Sequence, residues 1–209
     1  MLKDIRGSNL GFINKHIVDL KSLNEKIYNS IKSDNRVTLN SEPDESKKKE
    51  IYKLYEYIFK SSFDAKKKEV LLSIAFGNEK WSWRVVGISY QALSEFQQNG
   101  FKYKTRTFNR DHFYQPRIVT FRKMLKEFMP YEKWWKWFWK NDETIIVTIK
   151  QHNNNKNLLV ENLDIIPIDW RLGYFTCNPV VGFSYTKIRE GEYLRNLTQI
   201  ILNNVDSDS

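Results

Sequence analysis

Arg110-Asp111-His112, with His152-Asn153-Asn154 about forty residues further on, is the part of the chain whose residue types could do chemistry. Hydrolysing a phosphodiester needs a water deprotonated near neutral pH and positive charge on the oxygens that gain electrons. His112 is a suitable base, because free imidazole titrates near ~6.5, and Asp111 is a hard ligand for a divalent cation. His152 and Asn153 could complete the metal shell or orient the base. Basic residues crowd around these groups. Residues 101–150 hold 12 Lys and Arg against 5 Asp and Glu, an excess of seven where the whole 209-residue chain has +9. Arg106, Arg110, Arg117 and Lys150 flank the centre and are the expected phosphate contacts. The planar fork of Arg suits that task, since it grips two phosphate oxygens at once.

Neighbours on a regular strand point to opposite faces, so Asp111 and His112 cooperate only at a strand end or bend, which Pro116 would supply. In that arrangement the residues resemble the His-Me finger nucleases, the HNH or ββα-metal class. Carried over residue by residue, His112 resembles the general base, Asp111 the acidic metal ligand, and Asn153 and His152 the later members of the motif. The resemblance covers residues 101–155 only. The usual motif is more compact, and the zinc-stapling cysteines common in the class are absent, Cys177 being the only cysteine. The resemblance implies a DNA endonuclease that uses one divalent cation, Mg2+ or Mn2+, of a restriction or phage-defence kind.

Other classes lose their support. Eight glycines, none in a phosphate-cradling loop, argue against kinases, NTPases and dinucleotide enzymes, and no Ser-centred nucleophile elbow occurs. A single cysteine allows no internal disulfide. The start, Met1-Leu2-Lys3-Asp4, lacks the apolar run of a secretory signal, and no stretch approaches the ~20 apolar residues of a membrane span. The cytoplasm is therefore the expected location, with no membrane partner. A pI near 9.4 favours a polyanion, DNA ahead of RNA. Two alternatives stand beside the nuclease: a non-catalytic DNA- or RNA-binding protein, and an oligomeric adaptor built on the N-terminal helix.

The elements that must position these residues are read from periodicity. Leu10, Ile13, Ile17, Leu20, Ile27 and Ile31 recur at helical steps broken by Asn24, which fits a helix packed on its own domain or, as the second choice, a homodimer seam. Residues 33–46 read as a loop, followed by a helix with Ile51, Leu54, Tyr55, Ile58 and Phe59 on one face. Trp81, Trp83 and Val85 alternate as on a strand, and Ser89 caps a helix that Gly100 ends. A strand over 101–106 would place Lys102, Lys104 and Arg106 on one face as further phosphate contacts. Two amphipathic helices follow, split by Pro130. In the second, Trp134, Trp135 and Phe138 read as core, while Trp137 and Trp139 have more freedom to face outward and stack on bases. Thr144–Ile149 reads as a strand, Ile165–Ile168 as an edge strand, and 190–203 as a helix. The expected fold is α+β: a helical region over 1–76, a mixed core over 77–203 with a small sheet and Trp-rich helices, and a frayed acidic tail over 204–209.

Overall fold

Two apolar, β-branched runs, β1 (Arg84–Ser89) and β3 (Glu143–Thr148), form the centre of a four-stranded sheet. The structure is a computed structural model that describes residues 17–33, 40–77, 79, 81–102, 106–154, 163–173, 175 and 187–201. β1 and β3 run parallel, with Ile88 beside Ile146. β2 (Phe108–His112) lies antiparallel on the outer side of β3, placing Asp111 beside Ile145 and His112 beside Thr144. β4 (Ile165–Pro167) pairs antiparallel with β1 at the other edge, where the missing N–H of Pro167 is tolerated. Thr144 through Val147 are all buried, as in a strand covered on both faces.

Around this sheet, among the described residues, stand α1 (Ile17–Lys32), α2 (Glu45–Lys60), α3 (Ala65–Gly77), α4 (Tyr90–Gln98), α5 (Arg117–Lys126), α6 (Tyr131–Asn141), α7 (Ile149–Asn154) and α8 (Lys187–Ile201). The fold is α+β. No described helix is long and apolar enough to cross a membrane. A first core joins the sheet to α4, α8 and α1. Phe96 stacks flat on Phe108 at 3.8 Å, and Val85, Ile88, Ile146, Leu194 and Leu197 close around them. α1 docks on α8 of its own chain: Leu20 is buried, and the Tyr193 hydroxyl donates to Asn24 Oδ1 at 2.8 Å. A second core is made by α2, α3, α5 and α6. The Tyr55 hydroxyl anchors it, donating to the Met124 carbonyl at 2.9 Å and accepting from the Met129 N–H at 3.0 Å.

The cap and terminator of α4 follow the sequence reading, and the structure adds a cap at the head of α2. Asp44 accepts from the Lys47 N–H at the head of α2, Ser89 from the Ala92 N–H at the head of α4, and Gly100 takes φ +61° beyond its end. Trp134, Trp135 and Phe138 are core residues, as expected. Two strands differ from the reading. Phe101 and Arg106 have φ of 59° and 63°, a left-handed backbone no strand contains, so the chain turns there and β2 begins at Phe108. Trp83, at φ 56°, likewise delays β1 to Arg84. Lys104, His16, Cys177, the Leu10–Ile13 part of the N-terminal repeat and the tail over 204–209 lie outside the described residues.

Candidate functional site

β2 is regular through His112, so its side chains alternate. Asn109 and Asp111 face one side of the sheet; Phe108, Arg110 and His112 face the other. Asp111 therefore does not meet its neighbour His112. It meets His152. The imidazole Nδ1 lies 2.6 Å from Asp111 Oδ1, and the Asn109 side-chain amide donates to the same oxygen at 3.0 Å.

His152 reaches Asp111 because β3 ends at Thr148 and α7 turns back against β2 and β3. The turn is pinned by the buried Gln151, whose Oε1 accepts from the Ser89 hydroxyl at 2.8 Å and the Thr148 N–H at 3.0 Å. The Ile149 N–H donates to the Thr107 carbonyl at 2.9 Å, tying α7 to the start of β2 as well. The site thus rests on the ends of three strands.

Solvent access divides the two partners. The Asp111 side chain is 18% exposed and that of His152 is 40%. Burial pushes the Asp111 carboxyl up from the usual carboxylate range, while the charge and hydrogen bond of His152 and the Asn109 amide pull it back. A carboxylate that accepts from Nδ1–H fixes the ring and leaves Nε2 as the free acceptor on its far edge. That is the geometry of an oriented general base.

His112 is in the opposite situation. Its ring lies against Trp83, centroids 4.5 Å apart, and its Nε2 is buried without a hydrogen-bond partner. Burial, with Arg117 and Arg110 alongside, pushes its pKa down to about 3. It is neutral at physiological pH and its Nε2 is shut off from water, which does not suit the base role expected of it. Arg110 and Arg117 are buried as well. Arg110 donates to the Phe175 carbonyl at 2.9 Å and the Trp83 carbonyl at 3.3 Å. Arg117 donates to the Phe76 carbonyl and the Ser82 hydroxyl, each at 2.9 Å, and its Nε stands 3.2 Å from Asp142. Both hold the interior together and do not face a ligand. Lys102, Arg106 and Lys150 are exposed, and Asn153 is exposed next to His152 on α7.

The donors do not fit a metal cage. Asp111 and His152 are bonded to each other, and no group of three His, Cys, Asp or Glu side chains that could hold an ion occurs among the described residues. A polar groove of about 450 Å³ opens at the carboxyl ends of β1 and β3, lined by Tyr90, Ser94, Gln98, Lys150 and Asn154 among others. Lys150 and Asn154 lie on the side of α7 away from His152, by helical spacing. The sequence reading missed Asn109 and Gln151. Asn109, two residues before Asp111 on one strand, carried a period-two signal; Gln151 carried none, since its partners come from two other elements. Comparison with protein-family models, with curated proteins and with solved structures finds no match to this chain.

Proposed function

We propose that the protein hydrolyses phosphodiester bonds of nucleic acid, with His152 as general base and Asp111 as the group that orients it. The observation that carries this reading is the 2.6 Å Asp111–His152 contact on an imidazole open to solvent. The cationic middle of the chain supplies the reason to choose a phosphate substrate. In the reaction His152 Nε2 takes a proton from water as the water oxygen bonds to phosphorus. The ester P–O bond breaks, and the imidazolium returns the proton to the leaving oxygen. Asp111 stabilises that imidazolium between the two transfers. Of the cations that the sequence offers as phosphate contacts, Lys102, Arg106 and Lys150 are exposed. The base is thus His152, and His112 is a packing residue. Because the described donors do not form a cage, no step is assigned to a protein-held cation.

The test is cleavage of plasmid DNA, single-stranded DNA and RNA by purified protein in Mg2+, in Mn2+ and in chelator. His152→Ala and Asp111→Asn should each lower the rate ~10²–10⁴-fold, the usual cost of losing a general base or its orientation. His112→Leu should retain most of it. Cleavage by His152→Ala at the wild-type rate sinks the reading.

A further inference from the structure

The proposed chemistry leaves unused the aromatic, lysine-rich outer face of α5 and α6. On α6, Lys133, Trp137 and Lys140 fall at i, i+4 and i+7, one stripe about 10 Å long, with Lys136 beside it. Across from it on α5, the Lys123 ammonium sits over the Trp137 ring at 3.9 Å. At the far end the Lys140 ammonium sits over the Tyr114 ring at 4.6 Å, and Tyr114 is 40% exposed. Six exposed cations stand on these two helices, Arg122, Lys123, Lys126, Lys133, Lys136 and Lys140, against two exposed acids, Glu132 on α6 and Glu127 just past the end of α5. Some of the charge is spoken for. Arg122 pairs with Glu69, Lys133 approaches Glu127 at 3.8 Å, and the half-buried Glu143 faces Lys140.

We infer that this face binds a single-stranded segment of nucleic acid, its phosphates on Lys123, Lys136 and Lys140 and its bases on Trp137 and Tyr114. The inference rests on the proposed nucleic-acid substrate and says where it lies. Three features carry it. The charge is predominantly positive and clustered, six exposed cations to two acids, which attracts a polyanion. The aromatic faces are covered by lysine ammonium groups on flexible stems, so a lysine that moves to a phosphate uncovers a ring for a base; stacking of that kind tolerates any sequence. The stripe also leads to the site. Tyr114 follows Asp111 by three residues, so their Cα atoms lie within about 11 Å. The Tyr114 end of the stripe is thereby placed near Asp111, the partner of His152. Unstacked bases are required, so single strands should be preferred to duplex.

The experiment uses the full chain and a fluorescein-labelled 20-nucleotide DNA of mixed sequence, with binding followed by anisotropy across a salt series. The Lys123→Gln, Lys136→Gln, Lys140→Gln triple variant should bind at least tenfold more weakly at 100 mM salt. Its log–log salt slope should be about two units shallower, as expected for three lost single-strand phosphate contacts. Tyr114→Leu, at an exposed position, should cost about tenfold without changing the slope. A control that removes the same charge elsewhere, Lys49→Gln, Lys53→Gln, Lys66→Gln, should bind as wild type does. Equal loss in the two triple variants overturns the inference, because net charge then explains the binding. So does unchanged binding by the α5–α6 variant, tighter binding of a hairpin duplex of equal length, or loss confined to phosphatidylserine vesicles. Binding that behaves as stated in a protein that cleaves nothing removes the hydrolase and keeps the surface. Cleavage that survives with binding indifferent to these lysines does the reverse.

Discussion

Asp111 has one histidine beside it in the chain and another beside it in space, and only the second is bonded to it. The first has a measurable consequence. His112 is held down to about 3 by burial and by Arg117 and Arg110, so the native protein leaves it neutral where the unfolded chain, near 6.5, binds a proton. The unfolded state then holds more protons, and stability falls as pH drops from 6.5 toward 3. About 2 kcal/mol should be lost by pH 5. Urea unfolding at pH 7 and pH 5 should show this loss in wild type and a much smaller one in His112→Leu. Burial raises the carboxyls of Asp111 and Asp142 and works with the opposite sign, so the difference between the two proteins is the quantity to read. Equal losses in both would mean that His112 is not the buried neutral group. Residue type alone was enough to single out Asp111 and His152 and to group them as ligands of one metal, but not to show that they bond to each other while His112 turns away, because facing depends on strand register. It misread Arg110 and Arg117 as ligand contacts. Their acceptors, the Phe175 and Phe76 carbonyls, lie 65 and 41 residues away, and a buried arginine held by distant backbone leaves no local signature.

Elements were legible where their signals are local. α4 could be bounded from Ser89 and Gly100 because a cap and a left-handed terminator are properties of a few consecutive residues. β2 was placed several residues early because alternation in Phe101–Arg106 says nothing about the positive φ at either end of that run. The junction between α6 and β3 was legible in its bounds but not in the role of Asp142, on which much converges. Asp142 ends the helix, is 1% exposed, accepts from the Trp83 N–H at 2.8 Å and faces Arg117 Nε at 3.2 Å. A buried pair adds little over a well-packed apolar substitute, but breaking it strands a charge. Asp142→Ala should therefore cost about 3–5 kcal/mol, since Arg117 would stay buried beside His112 without its carboxylate. The double variant Asp142→Ala, Arg117→Met should recover part of that loss. Chemical denaturation of the three proteins decides it. A double variant no more stable than Asp142→Ala would show that the Trp83 contact, not the arginine, makes the aspartate matter.

At the scale of the molecule, the two cores are assembled from interleaved stretches of chain. The second takes residues between Ile51 and Trp81 and then between Phe121 and Phe138; the first takes Leu20, residues from Val85 to Phe108, and residues from Ile146 onward. Neither closes from one continuous segment. The two meet around Trp83. Its ring packs against His112 at 4.5 Å and takes the guanidinium groups of Arg117 at 4.8 Å and Arg110 at 5.5 Å. Arg110 reaches the Phe175 carbonyl in the first core, and Arg117 reaches the Phe76 carbonyl in the second. One indole thus fills the space between the two arginines that grip the two cores. Wild-type protein should unfold in urea as one unit, with tryptophan fluorescence, dominated by the second core through Trp81, Trp134 and Trp135, coinciding with hydrogen exchange of the Leu194 and Leu197 amides in the first. Trp83→Ala should cost about 3 kcal/mol and separate the two transitions, because both arginines lose the surface that positions them. The order of the separated transitions reports which core is the more stable alone. Two curves that stay superimposed in Trp83→Ala would show that Trp83 is not the coupler and would move the test to Trp139 and Trp170, whose rings lie 5.6 Å apart with the Arg84 guanidinium of β1 over both.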